Sequence, residues 1–330
     1  MLQRLLLVLG GVGVALIAAE LMAHLFAPFS LVDGRFVLIN DSHPQTEKVT
    51  MGDIDGMPVW FNNRPDRPPP KPHKEGTRVV VLGDSVLMPM GVPDRDGAVQ
   101  LLEGLLAQTF DDSAYEVVNL AEGGWDTMQE EALLRQRGLA LQPDLVVVGL
   151  TPNDGQQYVM LDGQLVLSEF INDAEARGGH VLARRSYLWN WIWLTWKAFG
   201  VGTNALHATP KGQSVLDSLM RMADMTRAAG AHLAILCLPS LPADRIDATV
   251  SCPWSDVVAW SQHAGVSLLD LAPVYAPYPM PLMRIDHIHL TPFGHRVLAV
   301  AWLRWLVEQH LVPGDASHAL PDLPAIPSRS

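Results

Sequence analysis

A serine, a histidine and an aspartate stand at two distant places in the chain. Ser85 follows Gly83-Asp84, and near the other end of the sequence Asp286 precedes His289 by three positions. A serine hydroxyl is weakly nucleophilic until a neighbouring imidazole takes its proton, and the imidazole needs a carboxylate to fix its tautomer and orientation. Ser85, His289 and Asp286 therefore predict acyl-transfer chemistry.

Acyl transfer also needs hydrogen-bond donors for the oxyanion of the tetrahedral intermediate. Three donors are available in the sequence: the backbone N–H groups of Ser85 and Gly124 and the side-chain amide of Asn153. Glycine at position 124 lets the backbone approach a substrate closely, because a Cβ atom would hinder that approach. We predict these three residues as the oxyanion hole.

These residues must be brought together by the elements between them. Short apolar runs predict strands over 79–82, 115–120, 144–150, 232–238 and 266–271, and helical patterns cover 97–110, 127–139, 213–229, 254–264 and 292–310. Strands that alternate with helices predict an α/β fold with a parallel sheet, and continuously apolar strands predict that both faces of the sheet are covered. Ligands bind at the carboxyl ends of such strands, where the candidate residues stand.

The four blocks resemble the SGNH (GDSL-type) hydrolases, over roughly residues 78–310 and in that family's order. The resemblance implies a flavodoxin-like three-layer α/β/α fold with a five-stranded parallel sheet, and ester hydrolysis without a metal. It implies that Ser85 is the nucleophile, that Gly124 and Asn153 stabilise the oxyanion, and that His289 is the base oriented by Asp286. There are two departures. Val86 stands where the family name has leucine, and the second block has two adjacent glycines, Gly123 and Gly124, either of which could fill the family's position. Gly124 is favoured because Gly124-Trp125-Asp126-Thr127 fits the glycine-aromatic-small-threonine pattern of that block.

Each block also has a simpler interpretation. Gly83-Asp84-Ser85 could be a polar turn after a strand, and Asn153-Asp154-Gly155 is an ordinary turn signal. Asp286 and His289 could form a surface loop that caps the last helix. The catalytic interpretation therefore depends on all four blocks occurring together, in order, each near the end of a strand.

Two further histidines lie near His289. His287 follows Asp286 directly and suggests a metal pair, but no other cluster of histidines and carboxylates completes a site. His295, in the predicted final helix, is expected to be structural. We predict neither a metal nor a cofactor.

The N-terminus carries an apolar run. Residues 5–27 are long enough for a bilayer-spanning helix, whereas a cleaved signal peptide and a buried helix are the alternatives. We expect an uncleaved inner-membrane anchor with the remaining chain on the periplasmic side, where a bridge between Cys237 and Cys252 would be permitted.

The remaining sequence suggests four parts and one unusual cluster. The predicted parts are the anchor 1–27, an extended connecting segment 28–76, the hydrolase domain 77–311 and a loose C-terminal tail 312–330. Four tryptophans lie within eight positions, Trp189, Trp191, Trp193 and Trp196. Their spacing fits a helix that packs on the domain or, alternatively, an interfacial helix or substrate lid.

Composition restricts the function classes. The chain has 330 residues, is 48% hydrophobic and carries a formal net charge of −12. That charge repels phosphate backbones, so we predict no nucleic-acid partner. We expect a serine esterase that removes an O-acyl (acetyl) group from an extracytoplasmic glycan or a related ester. The alternatives are an O-acyltransferase acting on an exported polysaccharide, a lipid esterase or lysophospholipase, and a non-catalytic glycan-binding module.

Overall fold

The computed structural model of the protein describes most of the chain. The described residues are 2–26, 29–32, 35–38, 49–54, 57–71, 76–110, 115–155, 158–161, 164–167, 171–172, 186, 188–189, 192, 210–246, 252–314 and 318–327. They fall into a smaller unit, Met1–Thr46 with Gln156–Ala208, and a larger unit, Glu47–Gly155 with Thr209–Ser330. All the predicted site residues belong to the larger unit.

The strands and helices of both units are numbered together in chain order. The described strands are β1 (Phe29–Val32), β2 (Arg35–Leu38), β3 (Val49–Ile54), β4 (Met57–Asn62), β5 (Thr77–Leu82), β6 (Tyr115–Asn119), β7 (Leu145–Leu150), β8 (Tyr158–Leu161), β9 (Gln164–Leu167), β10 (Ile171–Asn172), β11 (His232–Cys237) and β12 (Ser267–Asp270). The described α-helices are α1 (Leu2–Phe26), α2 (Ala98–Phe110), α3 (Thr127–Leu133), α4 (Pro210–Ala228), α5 (Ser255–Ala264), α6 (Ala272–Tyr275), α7 (Met280–Met283) and α8 (Pro292–Glu308). The helix predicted over 127–139 stops earlier, because a π-turn over Leu134–Gly138 follows α3.

The main sheet has five parallel strands in the order β6-β5-β7-β11-β12. This is the flavodoxin-like order. From β5 the chain first adds β6 on one side of the sheet and then returns to add β7 on the other side, so the switch point lies between β5 and β7. Ligands bind at such a switch point, outside the carboxyl ends of the strands. The structure therefore confirms the predicted α/β fold class and the five-stranded sheet.

Helices cover both faces of the main sheet. Val81 and Val147 belong to a buried cluster that also includes side chains of α2 and α8. Their chain neighbours Val80 and Val146 are equally buried and point to the opposite face, since side chains alternate along a strand. In the second layer of helices, which covers the opposite face of the sheet, α4 packs against β11 and α3. Continuous valine runs suit this arrangement because both faces are dry.

The predicted connecting segment 28–76 is folded over part of its length. In the larger unit, β3 and β4 form an antiparallel hairpin, and Ile54 and Trp60 on this hairpin are buried. The prediction of an extended connector is wrong here, because the hairpin makes hydrogen bonds to residues some sixty positions away. Sequence patterns do not report such contacts.

The C-terminal tail also differs from its prediction. Within the described part, Tyr278 donates a hydrogen bond to the carbonyl of Pro324 at 3.0 Å, and Arg304 donates to the carbonyl of Pro321 at 3.2 Å. The tail was predicted to be loose because it is rich in proline and serine. Proline carbonyls still accept hydrogen bonds, and the body of the larger unit supplies the donors.

The smaller unit contains β1, β2 and β10, which form an antiparallel sheet, and the hairpin of β8 with β9. Within this unit, Ser186 donates a hydrogen bond to the carboxylate of Glu20 in α1 at 2.7 Å. Trp189 is 45% exposed, whereas the other members of the tryptophan cluster, Trp191, Trp193 and Trp196, lie outside the described residues. A search of the described residues finds no helix with the length and apolar character that crossing a bilayer requires.

A disulfide bond links Cys237, at the end of β11, to Cys252. Their Cα atoms are 5.7 Å apart, and both residues are buried. The sequence left this pairing open. The bridge ties the chain after β11 to the segment before α5, close to the carboxyl edge of the sheet.

Candidate active site

Ser85 lies in the turn that follows β5, at the switch point of the sheet. The preceding Asp84 shapes this turn, since its Oδ1 accepts a hydrogen bond from the N–H of Val86 at 2.9 Å and its carbonyl accepts one from Met88 at 3.0 Å. The Ser85 carbonyl accepts a further bond from Met90 at 2.9 Å. The turn is thus fixed on both sides of the serine.

The structure joins Ser85, His289 and Asp286 in one hydrogen-bonded chain. The Ser85 Oγ lies 2.8 Å from the Nε2 atom of His289. The Nδ1 atom of the same imidazole lies 2.7 Å from Asp286 Oδ2. Ser85 and His289 are 204 positions apart in the sequence. This geometry is the one that lets an imidazole take the proton of a serine hydroxyl while a carboxylate holds its other nitrogen.

Asp286 is held by its own loop as well as by the imidazole. Its Oδ1 accepts hydrogen bonds from the backbone N–H groups of Ile288 at 2.9 Å and His289 at 2.8 Å, which leaves Oδ2 for the ring. Burial raises the pKa of Asp286, but the hydrogen bonds from His289 and Ile288 outweigh it and lower the pKa to about 2. The carboxylate is therefore charged in the folded protein near neutral pH.

The loop that carries His289 is fastened at several points. The N–H of Ile285 donates to the carbonyl of His289 at 2.8 Å, and the N–H of Leu241 donates to the carbonyl of His287 at 2.8 Å. Arg284 returns a hydrogen bond to the carbonyl of Leu241 at 3.1 Å. The loop after β11, which the disulfide anchors, thereby supports the catalytic histidine's loop from outside.

The second block lies beside Ser85 after β6. The N–H of Glu122 donates to the carbonyl of Gly83 at 3.0 Å, which ties this loop to the serine turn. Gly124 has a φ of 77°, a left-handed conformation that glycine adopts without strain. Asp126 then begins α3, because its side chain accepts from the N–H of Gln129 while the Gln129 side chain accepts from the N–H of Asp126.

The third block is organised around Thr151, which the sequence reasoning did not single out. Its hydroxyl oxygen lies 2.6 Å from Asn153 Oδ1, 2.9 Å from Asp84 Oδ2 and 3.0 Å from Asp154 Oδ2. A hydroxyl has one proton, and an amide oxygen can only accept. Thr151 can therefore donate to only one of these three acceptors at a time.

Both carboxyl groups beside Thr151 are buried. Burial raises the pKa of Asp84, and it raises the pKa of Asp154 well above its usual value, with the neighbouring Asp84 adding to the effect. The Asn153 side chain also hydrogen-bonds to the Asp84 carboxyl. An amide NH₂ group has two protons, so the second can serve as an oxyanion donor.

The remaining histidines do not join the hydrogen-bonded chain. His287 is exposed. His295 is buried in α8, where its Nδ1 accepts a hydrogen bond from the N–H of Ala98 at 3.3 Å, and burial lowers its pKa to about 3. His295 thus connects α8 with the start of α2, as the structural interpretation predicted. In the described ranges no group of three or more histidine, cysteine or acidic residues is arranged to hold a metal ion.

The model of the GDSL-like Lipase/Acylhydrolase family matches residues 81–297, which is more than half of the chain. No curated protein matches the sequence.

Several solved structures are similar to this chain. TesA is 18% identical, with 71% of this chain and 99% of that chain covered and a TM-score of 0.45. LAE5, an alpha/beta hydrolase enzyme from the metagenome of Lake Arreo, Spain, is 18% identical, with coverages of 73% and 99% and a TM-score of 0.47. Axe2, an acetylxylan esterase from Geobacillus stearothermophilus, is 14% identical, with coverages of 71% and 96% and a TM-score of 0.47.

Proposed function

Because the chain belongs to the GDSL-like lipase/acylhydrolase family, we propose that its carboxylic ester hydrolysis runs through Ser85, His289 and Asp286. Family membership confirms the resemblance inferred from the four sequence blocks and makes the protein an ester hydrolase. The observation that carries the assignment of residues is the continuous hydrogen-bonded chain from the Ser85 hydroxyl through His289 to Asp286.

In the acylation step, the Ser85 Oγ attacks the carbonyl carbon of the ester, and its proton passes to Nε2 of His289. The tetrahedral oxyanion accepts hydrogen bonds from the N–H groups of Ser85 and Gly124 and from the Asn153 amide. The imidazolium then gives its proton to the departing alkoxide, which leaves an acyl-enzyme. Water activated by His289 attacks the acyl group, and the acid product leaves as Ser85 recovers its proton. Asp286 stabilises the imidazolium in both halves because it stays ionised.

The proposed residues can be tested with an active-site probe. A fluorophosphonate should label the wild-type enzyme at Ser85, whereas Ser85→Ala should abolish both the labelling and ester turnover. Ser255→Ala, at an exposed serine outside the four blocks, is the matched control and should leave both unchanged. Turnover that survives in Ser85→Ala would refute the serine mechanism.

For the substrate, we propose an O-acyl (acetyl) group on an extracytoplasmic glycan. The Cys237–Cys252 disulfide suits an oxidising compartment, where exported glycans are found. The net charge of −12 disfavours a phosphorylated lipid surface, which carries charge of the same sign. Both observations favour a glycan ester over a lysophospholipid.

A substrate panel separates the alternatives. Acetyl esters, longer acyl esters, sugar acetates and lysophospholipids are offered to the same enzyme, with and without a glycan acceptor. We expect the highest kcat/KM on sugar acetates. Acyl transfer to the glycan that exceeds hydrolysis would identify an acyltransferase. A preference for lysophospholipids would identify a lipid esterase, and glycan binding without any turnover would identify a binding module.

We further propose that the N-terminal helix anchors the enzyme in the inner membrane, with the larger unit in the periplasm. The sequence run over 5–27 supports this, as do apolar side chains of α1 that are more than half exposed, such as Val14 and Leu25. The full-length protein should resist carbonate extraction, whereas a chain that lacks residues 1–27 should be soluble and active. Recovery of a mature form that begins after residue 27 would instead indicate a cleaved signal peptide.

A further inference from the structure

The peptide bond between Gly123 and Gly124 carries one of the proposed oxyanion donors. A trans peptide unit is planar, and its C=O and N–H groups point in opposite directions. The direction of the Gly124 N–H is therefore set by the direction of the Gly123 carbonyl. Two adjacent glycines have no Cβ atoms to restrict the rotation of this unit, so some other contact must hold it.

The β3–β4 hairpin supplies that contact. The indole N–H of Trp60 donates a hydrogen bond to the Gly123 carbonyl at 2.8 Å, and the side-chain oxygen of Asn62 accepts one from the Gly123 N–H at 3.0 Å. The backbone N–H of Asn62 also donates to the Glu122 carboxylate at 2.7 Å. Gly123 is thus held on both its sides by residues of one strand.

The hairpin is itself firmly placed. Trp60 is only 2% exposed, and its carbonyl accepts a hydrogen bond from the indole N–H of Trp125 at 2.8 Å. Arg67, a few residues after the hairpin, pairs with the Glu122 carboxylate at 3.0 Å and donates to the Ala121 carbonyl at 2.9 Å. Trp60, Asn62 and Arg67 all precede the family match at 81–297.

We propose that Trp60 is a positioning residue for catalysis, which turns the Gly123–Gly124 peptide so that the Gly124 N–H faces the oxyanion. A donor on the carbonyl also polarises the same peptide unit and makes its N–H a stronger donor. Asn62 assists by fixing the preceding peptide unit. The proposal rests on the oxyanion role of Gly124 proposed above.

The test compares two tryptophan-to-phenylalanine variants. Trp60→Phe keeps an aromatic ring but removes the N–H donor. Trp302→Phe is the matched control, because Trp302 is fully buried in α8 and its indole nitrogen makes no hydrogen bond to any residue that the structure describes. Both variants lose the same atoms from a buried site.

We expect Trp60→Phe to lower kcat by about 10- to 100-fold with KM nearly unchanged, since a misaligned donor costs less than the roughly 10²–10³-fold loss of a missing one. Trp302→Phe should lower the Tm but leave kcat close to that of the wild type. Stoichiometric fluorophosphonate labelling of Trp60→Phe would show that the site is still folded.

Equal effects of the two variants on kcat would overturn the proposal, as would a loss in Trp60→Phe that appears in KM alone. If Trp60→Phe does not fold, Asn62→Ala decides, with the exposed neighbour Asn63→Ala as its control. Asn62→Ala should then lower kcat while Asn63→Ala does not, and equal kcat values would refute the proposal. Failure of the proposed function would give a different result from failure of this proposal, because ester turnover would then persist in Ser85→Ala.

Discussion

The side chain of Glu130, in α3, should make the protein less stable as the pH rises. Glu130 is 1% exposed, and neither carboxyl oxygen makes a hydrogen bond to any residue in the described part of the chain. Burial raises its pKa well above the usual 4.5, and the nearby carboxyls of Asp154, Asp84 and Asp126 raise it further. We therefore expect the folded protein to keep a proton on Glu130 that the unfolded chain releases.

The sign and size of the effect follow from proton linkage. A raised pKa in the folded state contributes stability that is fully present below about pH 4.5 and is lost as the pH rises toward the raised pKa. In that window the free energy of unfolding falls by about 1.4 kcal/mol per pH unit. The total loss is therefore about 1.4 kcal/mol for each pH unit by which the pKa of Glu130 in the folded protein exceeds its usual value.

Glu130→Gln removes the titrating proton and keeps the shape of the side chain. Its stability relative to the wild type should therefore increase with pH by the same slope, measured by urea unfolding of both proteins at a series of pH values. A difference that stays constant with pH would show that Glu130 is ionised in the folded protein, and would refute the reasoning.

The next residue along α3 provides a matched control. Burial raises the pKa of Glu131, but hydrogen bonds from Arg221 and Ser218 outweigh it and lower the pKa overall. The Arg221 Nη2 lies 2.7 Å from the Glu131 carboxylate. Glu131 thus contributes stability above its usual pKa, and Glu131→Gln should destabilise the protein at neutral pH. The two adjacent glutamates should respond with opposite signs.

Three further predictions concern single residues. His289→Ala should lower kcat by at least about 10⁴-fold in an ester assay, whereas the exposed His287→Ala should leave it essentially unchanged; the reverse result would mean that the base is misassigned. Asn153→Asp should lower kcat by at least about 10²-fold with little change in KM, because it replaces an oxyanion donor with a negative charge, and near-normal kcat would exclude Asn153 from the site. Gly294→Ala places a Cβ atom 2.4 Å from the carbonyl of Met283, so thermal unfolding should show a loss of about 1–3 kcal/mol, and an unchanged Tm would contradict this packing.

Several features could be predicted because their signals are local in the sequence. The valine runs before Ser85 and Asn153 mark buried parallel strands, since only a strand covered on both faces is apolar at every position. The turn residues that follow these runs then stand at the carboxyl edge of the sheet by topology alone. Asp286 and His289 lie three positions apart, so their own loop brings the carboxylate to the imidazole.

Other features depend on contacts that no local pattern records. The sequence of the β3–β4 hairpin resembles a connector, and its burial arises only because Trp60 and Asn62 meet Gly123, some sixty positions away. The C-terminal tail is likewise ordered by donors such as Arg304 that belong to another element. Hydrogen-bond donors and acceptors far apart in the chain become partners only after the sheet has formed.

By itself, the amino-acid sequence determined the fold class, the family and the residue types of the site, because these follow from periodicity, turn chemistry and short motifs. Only the tertiary structure decided which groups hydrogen-bond to one another and which peptide units have a fixed orientation. Thr151 lies within hydrogen-bond distance of three acceptors, and Glu130 is buried away from water. Both environments arise because chain segments from different blocks pack around these residues. Burial and proximity are properties of the assembled fold, and they set the pKa values and donor directions on which the chemistry depends.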